Sequence, residues 1–184
     1  LQGWAGSIEY GPWVTETRDD RVTICWMSVK PGMAYVELSD GTKIWETFAG
    51  RRIFKRLHAV RIDGLEPGAE LCYRVCGQDL VDDSNARNPV FGDNYEGPWQ
   101  RVRTFDPDAT TCRFSVFNDM HMQLEEYRAL ASQVDSAATD FLFLNGDIVS
   151  AGNYVADTLV RYELESLGSL TAGLPVLFAR GNHE

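Results

Sequence analysis

The sequence predicts an all-β sandwich followed by an α/β unit with a parallel sheet. Up to about residue 106, short segments of alternating apolar and polar residues are separated by turn residues, a pattern typical of a sandwich. From Cys112 onward, continuous apolar strands alternate with helical stretches. The composition changes between them, at Asp106-Pro107-Asp108. We therefore predict one domain over residues 1–107 and a second over residues 108–184.

Composition and charge narrow the range of functions. The chain has 184 residues, of which 44% are hydrophobic and 24% charged, enough apolar surface for real cores. The formal net charge of -10 argues against a broad basic surface that binds nucleic acid or an anionic membrane. We expect a compact substrate and no nucleic-acid partner. No apolar run approaches the roughly 18 residues that a membrane-spanning helix needs, so no membrane span is predicted.

The four cysteines are Cys25, Cys72, Cys76 and Cys112, an even number that permits disulfides without requiring them. If Cys72 and Cys76 share a strand, their Cα atoms are about 13 Å apart, beyond the ~7 Å limit for a disulfide. No Cys-x-x-Cys pair is present to form a zinc site. Buried or free thiols are the expectation, and the disulfide state stays open.

The first domain contains several runs of strand length. In the first of them, Val22, Ile24 and Trp26 share one face and are predicted to be core. Cys25 should then point to the opposite side. The segment Val81–Gly97 is rich in Asp, Asn, Gly and Pro, which predicts a long loop. Further strands are predicted at Met33–Leu38, His58–Ile62, Leu71–Val75 and Gln100–Phe105.

The second domain reads as β-α-β-α-β. The predicted strands are Arg113–Phe117, Phe141–Leu144 and Pro175–Ala179, and the predicted helices are Leu124–Val134 and Tyr154–Leu167. Such crossovers are right-handed and produce a parallel sheet. Ligands of open α/β sheets bind beyond the carboxyl ends of the strands, so polar residues there are candidates for a site.

Each predicted strand of the second domain is followed by residues that bind metals. Asn118-Asp119-Met120-His121 follows the first strand, Asn145-Gly146-Asp147 the second, and Gly181-Asn182-His183-Glu184 the third. A carboxylate and an imidazole one residue apart can converge on one ion where the chain turns. The glycine before Asp147 lets the backbone approach closely, and Asn182 offers a neutral carbonyl oxygen. The pattern predicts a metal site at this edge of the sheet.

These three motifs resemble the first three motifs of the calcineurin-like metallophosphoesterases. The corner at Leu65–Val75 resembles the E to F corner of fibronectin type III domains, although Leu71 stands where that family has a tyrosine. Tyr73 is left as a core aromatic residue. With a fibronectin type III-like domain in front, the chain resembles the purple acid phosphatase branch or a bacterial relative.

The resemblance implies a role for each site residue. Asp119 and His121 would bind the first metal ion, Asp147 would bridge both ions, and Asn182 would bind the second. His183 would be a catalytic group that is not a ligand and that protonates the leaving group or steadies the phosphoryl charge. The cofactors implied are two ions of Fe, Zn or Mn, whose bridging hydroxide attacks phosphorus in a small phosphate monoester. The resemblance also favours a secreted or periplasmic location.

Two departures from the family pattern change these expectations. Ser150 stands where purple acid phosphatases have an iron-binding tyrosine, so a coloured iron site is not expected. The family also completes both metals with later histidines, whereas this sequence has only His58, His121 and His183. His58 lies in the predicted sandwich and is an unsuitable substitute. We expect these residues to be part of a longer protein, cut after the third motif, and to be inactive alone.

Two alternatives stay open at this point. The chain is a binding or recognition module with a vestigial metal site, or the motifs serve phosphodiester rather than monoester hydrolysis. Arg180 and Glu184, next to the third motif, have two candidate roles, contact with phosphate or orientation of a ligand on the one hand and a surface salt bridge on the other. We favour the salt bridge and do not name them as site residues.

Overall fold

The computed structural model describes residues 7–85, 87–150 and 156–184. Strands β1 to β9 are Ile8–Thr15, Arg21–Leu38, Lys43–Trp45, Thr47–Phe48, Arg51–Arg52, Lys55–Asp63, Glu70–Asp82, Val90–Glu96 and Gln100–Arg103. Strands β10 to β12 are Phe114–Phe117, Phe141–Asn145 and Val176–Ala179. The helices are α1 at Leu124–Ala131, α2 at Ala156–Leu164 and α3 at Leu170–Gly173, with a 3₁₀ turn at Glu165–Leu167.

The first part of the chain forms a curled antiparallel sheet around β2, which is 18 residues long. Residues Arg21–Met27 of β2 pair with β1 and β6, whereas Met33–Leu38 pair with β7. The two separate strands expected here are therefore one strand. The exchange of partners falls around Pro31, which has no N–H to donate to a neighbour. The small ribbon of β4 and β5 stands apart from this sheet.

The core of the antiparallel sheet contains the residues that the sequence predicted. Val22, Ile24 and Trp26 are fully buried, and Tyr73 is fully buried beside them. The prediction that Cys25 faces away from the core is incomplete, because Cys25 is buried as well. Burial is continuous over residues 22–28, so this part of β2 is covered on both sides. A strand that is buried on both faces does not show the alternation of apolar and polar residues that marks a half-buried strand.

The long loop predicted at Val81–Gly97 is wrong in part. The segment begins with the end of β7 and contains β8, which pairs with β7 in antiparallel fashion. Tyr95 of β8 is buried, and its hydroxyl accepts a hydrogen bond of 3.2 Å from Trp26 Nε1. Pairing with β7 and this buried contact outweigh the low strand preference of the neighbouring Asp, Asn and Gly residues.

The second part of the chain forms a three-stranded parallel sheet in the order β10-β11-β12. The predicted alternation of strands and helices is confirmed, with α1 ending before Val134 and a short α3 added. Tyr154 and Val155, the predicted start of the second helix, lie outside the described residues. The domain boundary at residue 107 and the finer likeness to fibronectin type III stay predictions.

The parallel sheet has one packed face and one open face. Phe117, Leu142, Leu144 and Val176 point toward the helices and form a second apolar core. Phe114 and Val116 on the other face are 53% and 50% exposed. The carboxyl ends of all three strands lie at one edge, because the strands are parallel. That edge carries the three motifs.

Contacts between the two parts fix the parallel sheet against the antiparallel one. The buried Tyr73 hydroxyl donates a hydrogen bond of 2.8 Å to the carbonyl of Ala172 in α3. Arg56 of β6 forms an ion pair of 3.0 Å with Asp157 of α2. All four cysteines are free thiols. Among the described residues, no helix has the length and apolar character to cross a membrane.

Candidate metal centre

The loops that follow β10 and β11 run side by side. The backbone N–H of Asp119 donates to the carbonyl of Gly146 at 3.2 Å, and that of His121 donates to the carbonyl of Asp147 at 3.0 Å. The Met122 N–H continues the series with the carbonyl of Ile148 at 2.8 Å. The first two motifs are therefore held in a fixed relative position by backbone hydrogen bonds rather than by side chains alone.

Backbone strain is concentrated in these two loops. Six non-glycine residues of the described ranges have a positive φ, and four of them are Asp119, His121, Met122 and Asp147. Their φ angles are 59°, 46°, 63° and 53°. Side chains with a Cβ rarely adopt this left-handed region, and such residues collect at functional sites where the surroundings impose the conformation. The strain marks the loops as candidates for function.

The loop after β12 touches the loop after β11 through two glycines. A Cβ at Gly181 would lie 2.3 Å from Asp147 Oδ1, and one at Gly146 would lie 2.6 Å from the Gly181 nitrogen. Neither position has room for a side chain. The backbone N–H of His183 donates a hydrogen bond of 2.9 Å to Asp147 Oδ1. Glycine is therefore required by the close approach of the second and third motifs.

Three side chains converge where the loops meet. Potential ligand atoms of His121, Asp147 and His183 all lie within 4.8 Å of one another. The two imidazole rings are 4.8 Å apart between centroids and perpendicular to each other. Nδ1 of His183 is buried and has no hydrogen-bond partner among the described residues. Two nitrogens and a carboxylate oxygen are a donor set that suits Zn, Mn or Fe, and the unpaired nitrogen is one that a bound group would satisfy.

Asp119 and Asn182, the other two predicted ligands, lie beside this cluster. Asp119 Oδ1 is 3.1 Å from His121 Nε2, and its Oδ2 accepts a hydrogen bond of 2.8 Å from Asn118 Nδ2. Asn145 Nδ2 in turn donates to Asn118 Oδ1 at 2.9 Å. Asn182 is exposed in the loop after β12, next to His183 in sequence. The structure therefore brings Asp119 against His121, whereas Asn182 is exposed.

His183 belongs to the cluster as closely as the predicted ligands do. The sequence prediction gave it a role separate from metal binding, and its ring lies against that of His121. Ser150, at the position of the missing tyrosine, donates a hydrogen bond of 3.2 Å to the carbonyl of His121. Ser150 therefore supports the first motif through the backbone.

Glu184 is a residue of the site that we did not name as one from the sequence. Its carboxylate accepts hydrogen bonds from four backbone amides, those of Gly181 at 2.7 Å, Ile148 at 2.8 Å, Asp147 at 3.0 Å and Val149 at 3.4 Å. The interpretation of Glu184 as a surface salt-bridge residue is wrong. No local signal could have identified it, because its partners at Asp147, Ile148 and Val149 lie about 35 residues earlier in the chain and backbone amides have no sequence signature.

The carboxyl groups of Glu184 and its neighbour Glu163 have pKa shifts in opposite directions. Burial alone would raise the pKa of Glu184, but the hydrogen bonds from the backbone amides outweigh it and lower the pKa below its ordinary value. Glu163 of α2 has the opposite shift. Burial, together with the negative charge of Glu184, raises the pKa of Glu163 to about 7. Glu184 is therefore ionised at neutral pH, where Glu163 is only partly ionised.

His58 lies outside the site, as the sequence analysis expected. It is fully buried in the antiparallel sheet, with Ser28 Oγ 3.1 Å from Nε2 and Glu46 Oε2 2.8 Å from Nδ1. Both of its ring nitrogens are occupied by protein groups. It therefore offers no free ligand atom for a metal ion.

The part of the chain that contains the three loops is similar to a known family. Residues 112–184 match the family model described as calcineurin-like phosphoesterase, and this range contains the whole cluster. A search of curated protein sequences finds no significant match. The structure of purple acid phosphatase PPD1 isolated from yellow lupin (Lupinus luteus) seeds has the same fold, with a TM-score of 0.63 and 17% sequence identity.

The likeness to the lupin structure covers 94% of this chain and 35% of the lupin chain. At this level of identity it shows a common fold. The family match adds chemistry, because calcineurin-like phosphoesterases are metal-dependent and the matched residues include a possible His/Asp/His site. Residues 112–184, which hold the α/β part of the chain, are therefore similar to calcineurin-like phosphoesterases.

Proposed function

We propose that this protein is a metal-dependent phosphoesterase that hydrolyses small phosphate monoesters. The observation that carries the proposal is the convergence of His121, Asp147 and His183 at the carboxyl edge of a parallel sheet, with ligand atoms within 4.8 Å of one another. The family match over residues 112–184 favours a phosphate ester as substrate. The net charge of -10 favours a small substrate over a nucleic acid.

Two ions of Fe, Zn or Mn are the proposed cofactors. In this proposal Asp119 and His121 would hold the first ion, Asn182 would hold the second, and Asp147 would be a ligand shared by both. Imidazole nitrogens with carboxylate and amide oxygens suit these metals. When bound, such ions supply Lewis-acid polarisation of a phosphoryl oxygen. The unpaired Nδ1 of His183 and the positive φ of Asp147 support a site built to receive a ligand.

A relay of side-chain amides orients Asp119. Asn145 donates to Asn118, and Asn118 donates to Oδ2 of Asp119, which leaves Oδ1 directed at His121. Groups that hold a ligand in this way fix its orientation and affect affinity nearly as strongly as the ligand does. Asn118 and Asn145 are therefore supporting residues of the proposed first metal position.

His183 is the proposed proton donor to the leaving group. Its backbone N–H is fixed by Asp147 Oδ1, so its imidazole is held at the cluster. An imidazole is well suited to move a proton near neutral pH, and here it would either protonate the leaving oxygen or contact the phosphoryl group. Phosphoryl transfer of this kind needs no nucleophilic side chain.

The test is turnover of a chromogenic phosphate monoester by the full-length gene product with Mn, Zn or Fe. Asp147→Asn keeps the shape of the side chain and removes its charge, so we expect turnover to fall at least about 100-fold. Glu165→Gln is the matched control, since Glu165 pairs with Arg128 and Arg161 away from the cluster. Undiminished turnover in Asp147→Asn would remove the assignment.

The role of His183 has its own test. If His183 donates a proton without binding metal, His183→Ala should lower turnover while manganese affinity stays within a few-fold of wild type. A leaving group that needs no protonation should recover most of the lost rate. A loss of manganese affinity as large as that in His121→Ala would make His183 a ligand instead.

The 184 residues alone should bind metal weakly. Each proposed ion would receive two or three protein ligands from this chain, fewer than the four or more of a strong site. We expect manganese titration by calorimetry to give micromolar or weaker binding and little turnover. Submicromolar binding would contradict this expectation.

A further inference from the structure

We propose that Glu184 is a positioning residue that sets the orientation of Asp147 by joining the loops after β11 and β12 through its carboxylate. The inference deepens the proposed function, on which it rests for the role of Asp147 as a ligand. The carboxylate bridge itself is independent of any metal.

The bridge uses both oxygens of the side chain. Oε2 accepts from the amides of Asp147 and Gly181, at 3.0 and 2.7 Å, so a single atom joins the two loops. Oε1 accepts from the amides of Ile148 and Val149, at 2.8 and 3.4 Å. The carboxylate is committed to backbone donors, which separates Glu184 from the proposed ligands.

In the part of the chain that the structure describes, the amides that Glu184 binds have no backbone acceptor of their own. Strand β11 ends at Asn145, so the three amides that follow Gly146 lie beyond the ladder of the sheet. Ile148 and Val149 are fully buried. Buried amides need an acceptor, and a charged acceptor forms the stronger hydrogen bonds. Without the carboxylate, a run of consecutive amides would be left unpaired at the centre of the site.

The bridge acts on Asp147 from both sides. Asp147 has a φ of 53°, which a residue with a Cβ holds only when its surroundings impose it. Glu184 binds the Asp147 amide, and the neighbouring His183 amide binds Asp147 Oδ1 at 2.9 Å. The backbone and the carboxylate of Asp147 are therefore both fixed by the segment 181–184. Loosening Glu184 should release the ligand that the proposed function places between two ions.

The experiment compares wild type, Glu184→Gln and Glu184→Ala in the full-length gene product, with Glu165→Gln as the control. Gln keeps the size and one acceptor but presents an NH₂ group to the other amides, so its effect should be intermediate. Two quantities are measured, the hydrogen exchange of individual amides by NMR without metal and the manganese dissociation constant by calorimetry. Urea unfolding of each variant establishes that the fold is intact.

We expect exchange at the Asp147, Ile148 and Gly181 amides to accelerate at least about 10-fold in Glu184→Ala. The His183 amide should accelerate with them, because Asp147 moves. The manganese dissociation constant should rise about 10-fold or more, the size of effect found for groups that orient a ligand. Glu165→Gln should change neither quantity.

Two results would overturn the proposal. Unchanged amide exchange in Glu184→Ala would remove the bridge. Faster exchange at the Asp147 amide, with the His183 amide and the manganese affinity unchanged, would leave a loop contact with no effect on the ligand. If Glu184→Ala does not fold, the same criteria apply to Glu184→Gln. If wild type binds no manganese, the proposed function fails, and the His183 amide measured without metal still decides whether Glu184 positions Asp147.

Discussion

Two sites in this protein pair a histidine with a carboxylate, but in different surroundings. In the antiparallel sheet, His58 Nδ1 is 2.8 Å from Glu46 Oε2, and in the α/β part His121 Nε2 is 3.1 Å from Asp119 Oδ1. The first pair is buried, with side chains 0% and 4% exposed, whereas the second is 34% and 61% exposed. The two histidine–carboxylate contacts are similar in length, but one is buried and the other is exposed to solvent.

The difference lies in how completely each centre is hydrogen bonded. The second ring nitrogen of His58 meets Ser28 Oγ, and the second oxygen of Glu46 binds Lys55 at 2.8 Å and the Ala59 amide at 2.8 Å. In the other centre, His183 Nδ1 has no hydrogen-bond partner within residues 7–85, 87–150 and 156–184, and the backbone is strained. A saturated buried network specifies a fold, while an unsatisfied, strained and accessible one is free to bind a ligand.

The largest expected effect comes from disrupting the fully hydrogen-bonded pair of His58 and Glu46. His58→Ala leaves Ser28 without its ring partner and Glu46 with an uncompensated buried oxygen, so we expect the free energy of unfolding to fall by about 3 kcal/mol or more. Urea unfolding followed by fluorescence measures it. His121→Ala, the counterpart in the open centre, should cost less than about 1 kcal/mol. Equal losses in the two variants would erase the contrast.

The second prediction concerns packing in the open centre. Gly181→Ala would place a Cβ 2.3 Å from Asp147 Oδ1, which forces the loops after β11 and β12 apart. We expect a loss of about 1–3 kcal/mol in stability, and weaker manganese binding. Gly173→Ala, whose Cβ would lie 3.2 Å from the Arg101 carbonyl, is the control and should bind manganese as wild type does. Unaltered binding in Gly181→Ala would contradict the prediction.

The third prediction concerns the effect of Glu163 ionisation on the free energy of unfolding. The pKa of Glu163 is raised to about 7 in the folded chain, from an ordinary value of 4.5, so folding disfavours its ionised form. Stability should therefore fall as pH rises from about 5 to about 8. Glu163→Gln should remove that slope and gain about 1 kcal/mol at pH 8, after allowance for solvent screening. A Gln variant with the wild-type slope would show that Glu163 does not titrate in this range.

The smallest expected effect is the dependence of stability on pH in the acid range that arises from Glu46. Burial raises the pKa of Glu46, but the hydrogen bonds from His58, Lys55 and the Ala59 amide outweigh it and lower the pKa below its ordinary value of 4.5. Its stabilising contribution is present above pH 4.5 and is lost as pH falls through the lower folded pKa. Urea midpoints between pH 3 and 6 should show a shallower dependence in Glu46→Gln. A slope equal to that of wild type would assign the acid sensitivity to other groups.

The strands and motifs of the α/β part were predictable because local pattern and tertiary role agree there. Leu142 and Leu144 lie in a continuous apolar run, and the motif with Asp147 follows directly where the strand ends. Parallel topology then places the three motifs at one edge without further information. Strand β8 was missed, because its pairing with β7 and the burial of Tyr95 are tertiary effects that local composition does not reveal.

The role of Glu184 was beyond prediction for a different reason. Its partners include the amides of Asp147, Ile148 and Val149, about 35 residues earlier in the chain, and backbone donors have no sequence signature. The position of the His183 ring against His121 likewise depends on how two loops meet. Residue types that bind metals can be recognised in a sequence, whereas the groups that hold them in place emerge only from the fold.

The most direct test of the two centres uses the three histidines of the chain as reporters. Ring nitrogens of His58, His121 and His183 are followed by ¹H–¹⁵N correlation NMR during titration with Zn²⁺, which is diamagnetic. We predict a large, saturable shift of one His121 ring nitrogen, a smaller shift in His183, and none in His58. An unchanged His121 in the folded protein, or a response of His58 equal to that of His121, would contradict the assignment of the metal centre.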